Sequence, residues 1–340
     1  MANRYWVGNS GVWSDNTNHW SASTGGAPNA SLPTSSDNVY FDASSFTEAE
    51  QTVTVDALAY CLSMDWTGAT NTPTFGGGYR VNIYGSLTFI AAMTSMHTSG
   101  LLFKGTGNIT TNGKTVTSYI SITTGATSYT LQDNLIVSGN SGLFHRVGTF
   151  NTNNKTINAK RFYCDGAANR TLTLGSSIIT CSGNITFTTT GLTMTANTST
   201  IIMTGNTKTF AGGGVTFNNV EFQGTPITVN GSNTFSDLKL TAGKTVNFTA
   251  ETTQTVTTLS GAGAAGNLIT IQSVTAGTAF TISKASGTVN VVYWSIKDST
   301  ATGGAVFNAF LSNGNVNVSG NTGWNFTAAA TNTTNFFMFF

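Results

Sequence analysis

The stretch that decides the fold is Phe217-Asn-Asn-Val220-Glu-Phe222-Gln-Gly224, read against Phe235-Ser-Asp-Leu238-Lys-Leu240-Thr-Ala242. Phe217 and Phe235, Val220 and Leu238, and Phe222 and Leu240 all recur at the same interval of eighteen. The repeat continues with a slip of one: Ile227 and Val229 precede Val246 and Phe248 by nineteen. Thr257-Thr-Leu259 falls nineteen after Leu238-Lys-Leu240, which predicts that these two stretches also stack. A degenerate period of this length, built from short extended runs, is the signature of a solenoid in which one repeat makes one coil. Sandwiches and barrels give turn signals at shorter spacing and need no such period.

The rest of the chain carries the same kind of text. Thr52-Val-Thr-Val55, Val81-Asn-Ile-Tyr84, Asn184-Ile-Thr-Phe187, Leu268-Ile-Thr-Ile271 and Val289-Asn-Val-Val292 alternate apolar and polar residues between Gly, Asn or Ser punctuation. Alternation over four to eight residues between such turns marks half-buried strands. No amphipathic helical segment of useful length interrupts them; Thr47-Glu-Ala-Glu-Gln51 suffices for one helical turn at most.

Composition agrees. Of 340 residues only 8% are charged, the net charge is +1, and 38 residues are Gly. Soluble domains carry about 25% charged residues. Stacked coils explain the deficit, because like charges on neighbouring strands repel, whereas Asn and Thr can bond along a stack. The same scarcity of Lys and Arg argues against nucleic-acid partners, which need phosphates neutralised. No apolar run is long enough for a membrane span, so membrane insertion is not expected. The opening Met1-Ala-Asn-Arg-Tyr-Trp6 leads into no apolar segment, so no signal peptide is expected. The chain is therefore expected to be made in the cytoplasm and kept there, or to leave by a route without a signal peptide.

The reading is therefore all-β: an elongated parallel β-helix (solenoid) with an N-terminal aromatic cap, the alternative being β-sandwich modules. Residues 1–50 are read as the cap and attachment segment, 51–326 as the solenoid and 327–340 as an apolar docking tail. The cap reading rests on Trp6, Trp13 and Trp20, because an open solenoid end exposes unpaired strand edges and needs covering. The tail reading rests on Phe336, Phe337, Met338, Phe339 and Phe340, which gain about 2 kcal/mol per side chain on full burial. They are expected to dock on their own solenoid or on a neighbouring chain.

Arg4-Tyr-Trp-Val-Gly8, Gly11-Val-Trp13-Ser14 and His19-Trp20-Ser21, with the closing Gly320-Asn-Thr-Gly-Trp324, resemble the ends of phage virion and bacterial surface β-solenoid proteins. The repeat at 233–261 and the run Tyr293–Gly304 share this likeness; the middle of the chain shares only its style. The resemblance implies a structural virion component, either a tail fibre or spike or a capsid decoration protein. It also implies a homo-oligomer, with a trimer favoured, and contacts with other virion proteins. It carries over no catalytic motif and no cofactor. Two other readings stay open: an adhesin that binds or cleaves a host glycan, and a self-assembling extracellular filament subunit.

Candidate chemistry is sparse. Glycosidic hydrolysis needs two carboxylates at suitable separation, and Glu221 with Asp237 is the nearest pair. Lys239 follows Glu221 by the same interval of eighteen, which makes a ladder ion pair the preferred role for that acid. Asp165 with Arg161 and Arg170 is the one local charged cluster after residue 100. Asp15-Asn-Thr-Asn18 reads as an Asx-type turn rather than a cation site. Cys164 and Cys181, seventeen apart, are expected to stack as buried thiols in adjacent coils, with a disulfide as the lesser option.

Overall fold

The computed structural model describes residues 1–93 and 97–327. Strands wind into a parallel β-solenoid whose longest sheet has 13 strands. Each coil delivers one strand to each of several faces, so consecutive coils pair in register along the rod. The first sheet runs from Asn3–Trp6 through Asn38–Tyr40 and Met64–Asp65 to Leu192–Thr195. The second sheet, the longest, starts at Ala59–Cys61 and ends at Val316–Ser319. The third runs from Thr115–Val116 to Ser299–Thr302. A three-stranded sheet led by Gly11–Val12 occupies the third position in the first coils. Another, begun by Thr288–Asn290, adds a face in the last ones. Among the described strands one pair is antiparallel, Asn3–Trp6 with Trp20–Ser21. Sandwich modules are therefore excluded.

The register over the deciding stretch is the one the sequence spells out. Phe217 pairs with Phe235, Val220 with Leu238 and Phe222 with Leu240. The next face pairs Ile227 with Val246 and Val229 with Phe248. All of these apolar side chains are buried. The third expected stack is different: Leu238 pairs with Leu259, not with Thr257. The cause is turn length. Gly231 and Ser232 connect Ile227–Asn230 to Asn233–Leu240. In the next coil a longer turn, Thr249 to Thr252, connects Thr245–Phe248 to Thr253–Ser260. The two added positions lengthen the interval by two and keep each side chain on its own face, because strand side chains alternate with period two. Elsewhere the step along the second sheet varies, from Leu101 to Ile120 in one coil and from Val246 to Ile271 in a longer one.

One apolar core runs through the coils, from Trp6 to Trp324. Aromatic rings stack along it, as in Phe217 over Phe235 at 5.9 Å and Phe248 over Phe280 at 4.4 Å. Outside, polar side chains bond from coil to coil. Asn308 Nδ2 donates to Asn290 Oδ1 at 2.9 Å, and Asn325 Nδ2 to Asn308 Oδ1 at 3.0 Å. Gln132 bonds Asn108 and Gln272 bonds Asn247 in the same way. Residues 1–50 share these sheets and this core.

At this corner a change of two residues should thus be tolerated better than a change of one. Replacing Thr249–Thr252 by Gly-Ser should lower stability by no more than about 2 kcal/mol, within the usual range for tolerated changes. Deleting one residue of that turn turns Gln254 and Val256 outward and should cost about 3 kcal/mol or more. Urea midpoints of the two variants decide the matter; equal losses would contradict the register.

Candidate assembly site at the ends of the solenoid

The opening motif supplies buried aromatic side chains to the first coil. Trp6 and Trp20 are fully buried and Trp13 nearly so. Trp20 meets Trp6 edge-on at 5.1 Å and Trp13 at 4.8 Å. Both fully buried indoles of the motif find an acceptor: Trp6 Nε1 donates to the Asn9 carbonyl and Trp20 Nε1 to the Trp13 carbonyl. His19 lies flat against Trp6 at 4.6 Å, its Nδ1 2.9 Å from the Val7 carbonyl oxygen. A Cβ at Gly11 would lie 1.9 Å from the His19 ring, which is why the motif has glycine there. Asp15 accepts from the Asn18 backbone and side chain and caps the single helical turn Asn16–His19. The Asn18 side-chain bond holds the Asp15 carboxyl below its ordinary range. Phe41 and Trp66, stacked at 3.6 Å, carry the cluster into the next coils.

The closing motif is equally structural. Asn321 accepts from the Ser299 backbone at 3.0 Å and donates to the Ile296 carbonyl at 2.7 Å. Trp324 Nε1 donates to Ser299 Oγ at 3.1 Å, and its ring packs on Phe307 at 5.2 Å. Among the described residues nothing pairs beyond this closure. Val316–Ser319 is the outermost strand of its sheet and exposed along its length. Val306, Leu311, Val316 and Val318 are 41–52% exposed within these last coils. A cleft of about 430 Å³ lies between Val306, Phe310 and Thr327. Covering four such half-exposed aliphatic side chains is worth about 1 kcal/mol each. The five apolar residues Phe336, Phe337, Met338, Phe339 and Phe340 lie outside the described residues.

The other candidate residues are placed as follows. Lys239 Nζ lies 3.3 Å from Glu221 Oε2, the ladder pair expected from the spacing. Asp237 sits opposite Asn219 and Thr258 and accepts from Ser260. Asp165 pairs with neither Arg161 nor Arg170 but with Arg146 of the preceding coil, at 3.6 Å. Arg170 turns inward, 2% exposed, and donates to the carbonyls of Gly166, Thr188 and Thr190 and to Thr188 Oγ1. Spacing misled for the cysteines too. One coil here runs from Phe162 to Ile185, so the shorter interval from Cys164 to Cys181 does not complete a coil. Cys164 stands in the second sheet and Cys181 in the third, both buried and both free.

Cys164 does meet a histidine that the sequence reading left unassigned. His145 Nδ1 lies 3.5 Å from Cys164 Sγ, and His145 Nε2 lies 2.9 Å from the Gly148 carbonyl oxygen. Both side chains are fully buried. Burial pushes the thiol up to about 12 and the imidazole down to about 4. A neutral thiol beside a neutral imidazole in the core is a packing pair, since a thiolate is the nucleophilic form. Among the described residues no group of three or more His, Cys, Asp and Glu is placed to hold a metal ion. No described helix is long and apolar enough to cross a membrane. Compared with protein-family models, curated proteins and solved structures, the chain finds no match.

The buried imidazole has a measurable consequence. Above pH of about 6.5 His145 is neutral folded or unfolded. Between that pH and about 4 the unfolded chain takes up a proton that the folded chain refuses, so stability falls as the pH falls. The full loss at His145 is about 3 kcal/mol. His97, whose imidazole burial also holds below its ordinary value, adds in the same direction. His145→Gln should therefore flatten the change in urea midpoint between pH 7 and pH 4.5. An unchanged slope would place the coupling elsewhere.

Proposed function

We propose that this chain is a non-enzymatic structural component of a bacteriophage virion that assembles through its ends. The carrying observation is the asymmetry of the rod. One end buries Trp6, Trp13 and Trp20 in its first coil; at the other, among the described residues, the strand Val316–Ser319 has no neighbour on its outer edge and its valines are exposed. A rod with lateral polar ladders and few charges gives its partners little to hold along most of its length. Edge pairing and apolar contact at the open end supply the missing grip, through main-chain bonds of the kind used in strand addition. The resemblance of both end motifs to phage and surface solenoids supports the virion setting, as a fibre, spike or decoration subunit. A closed ring of such contacts gives a symmetric oligomer, and a trimer is the form we favour. Non-closing contacts would give a filament instead.

Two changes test this. Deleting residues 336–340 should leave a β-rich fold and reduce the oligomer to monomers in light scattering. Val316→Lys with Val318→Lys places charge on the open edge and should have the same effect, by the means natural edges use. Oligomer size unchanged in both variants would remove the end-assembly reading.

A further inference from the structure

Between residues 80 and 165 the outer face of the second sheet gathers aromatic and arginine side chains. Successive backbone bonds, Val81 to Gly100, Leu101 to Tyr119, Ile120 to Gly142 and Leu143 to Arg161, align one residue per coil just before each strand. The resulting row reads Arg80, Gly100, Tyr119, Gly142, Arg161: large side chains separated by glycines. A neighbouring row reads Leu102, Ser121, Phe144, Tyr163. The coils that follow carry Thr186, Thr228, Asn247 and Gln272 on the same sheet, and an aromatic and a basic residue return in its last coils as Tyr293 and Lys297.

The glycines matter because of what they leave room for. A Cβ on Gly100 would lie 2.3 Å from the Tyr119 ring, so the tyrosine lies across the coil before it. Tyr119 meets Phe144 edge-on at 5.9 Å, and Phe144 meets Tyr163 at 5.3 Å. The Arg146 guanidinium lies 4.6 Å over the Phe144 ring and pairs loosely with Asp165. The result is a cleft of about 340 Å³ with Leu102 and Ser121 along it and Arg80 and Arg146 among its walls. Three of the chain's five arginines line this one face. Among the described residues the guanidinium groups of Arg80 and Arg161 have no hydrogen-bond or ion-pair partner. In a chain only 8% charged this is a marked local excess of positive charge.

We infer that this cleft binds an acidic carbohydrate, a chain of sugar rings bearing carboxylate or sulfate groups. Pyranose rings have flat faces of C–H bonds that lie against aromatic rings, and Tyr119, Phe144 and Tyr163 offer such rings on successive coils, about 4.8 Å apart per rung. Arginine forks match carboxylate and sulfate oxygens in two-point hydrogen bonds. Ser121, Ser141 and Thr123 bring hydroxyls to the same cleft for the sugar's own hydroxyls. A single-stranded nucleic acid fits less well: the neighbouring rings are inclined at 84° and 44°, and the arginines are few and partly countered by Asp165. The inference does not depend on assembly through the ends, since the face belongs to one chain.

The test is binding of the full chain to a panel of oligosaccharides of equal length, bearing hexuronate, sialate or sulfate groups or no charge, with polyphosphate and oligothymidylate as further probes. Tyrosine fluorescence and calorimetry report binding. Acidic oligosaccharides should bind and neutral ones should not. Arg80→Gln, Arg146→Gln and Phe144→Leu should each weaken binding at least tenfold, while Lys239→Gln on the third sheet should leave it unchanged. Far-UV circular dichroism of each variant checks the fold, and the conservative Arg146→Lys should recover part of the affinity. No acidic sugar bound at millimolar concentration overturns the inference. So does equal binding of polyphosphate or oligothymidylate, or binding indifferent to the variants. Oligomer size measured in the same samples separates failure here from failure of the assembly reading.

Discussion

Every part of this structure answers to one constraint: each inward side chain must rest on an inward side chain of the coil before it while the backbones bond between them. Parallel strands cannot be joined by tight hairpins, so the chain travels once around the rod before it returns to a given face. That journey leaves the turns free in length, provided each strand returns to its register. Phe217 over Phe235 shows the constraint directly, with like rings stacked at paired positions of successive coils. At the first coil the buried Trp6 and Trp20 pack on Phe41 of the next one.

The composition follows from the same source. A coil surface of Thr, Asn and Gln places bonding groups one above another, and the Asn290, Asn308, Asn325 series uses them in sequence. Charge is admitted where the neighbouring coil supplies its complement, as for Glu221 and Lys239. Arg170 is the instructive exception. Its guanidinium is buried and held by carbonyl oxygens of two successive coils, so a positive group ties the backbone together where an acid would find acceptors but no donors. Such a cation is retained because its oxygens are already fixed; burying it without them would be costly.

The fold was legible where turn lengths repeat and obscure where they do not. Phe217–Phe222 and Phe235–Leu240 announce each other because the intervening turns match, and the Glu221 pairing followed from that. Leu259 was misplaced by two positions because nothing in Thr249–Thr252 says how long a corner must be. The same blindness put Cys164 and Cys181 on one face and gave Asp165 its sequence neighbours instead of Arg146. The end motifs were legible as motifs but not as geometry: that Gly11 makes room for His19, or that Asn321 spans two strands, is visible only once the coil is closed. The row Arg80, Tyr119, Arg161 was illegible for a related reason. Its members are scattered at unequal intervals, and only the folded coils bring them into line.

A rod built this way has a length that comes in whole steps. Whether a coil is short, as from Phe217 to Phe235, or long, as from Val246 to Ile271, it advances the tip by one strand spacing, about 4.8 Å. Thirteen strands in the longest sheet therefore span about 60 Å from Ala59–Cys61 to Val316–Ser319. Because each coil touches chiefly its two neighbours, one can be gained or lost without redesigning the rest. The number of coils then acts as a ruler: it fixes the distance between the two ends of the rod, in increments that a loop or a helix bundle cannot count out so evenly.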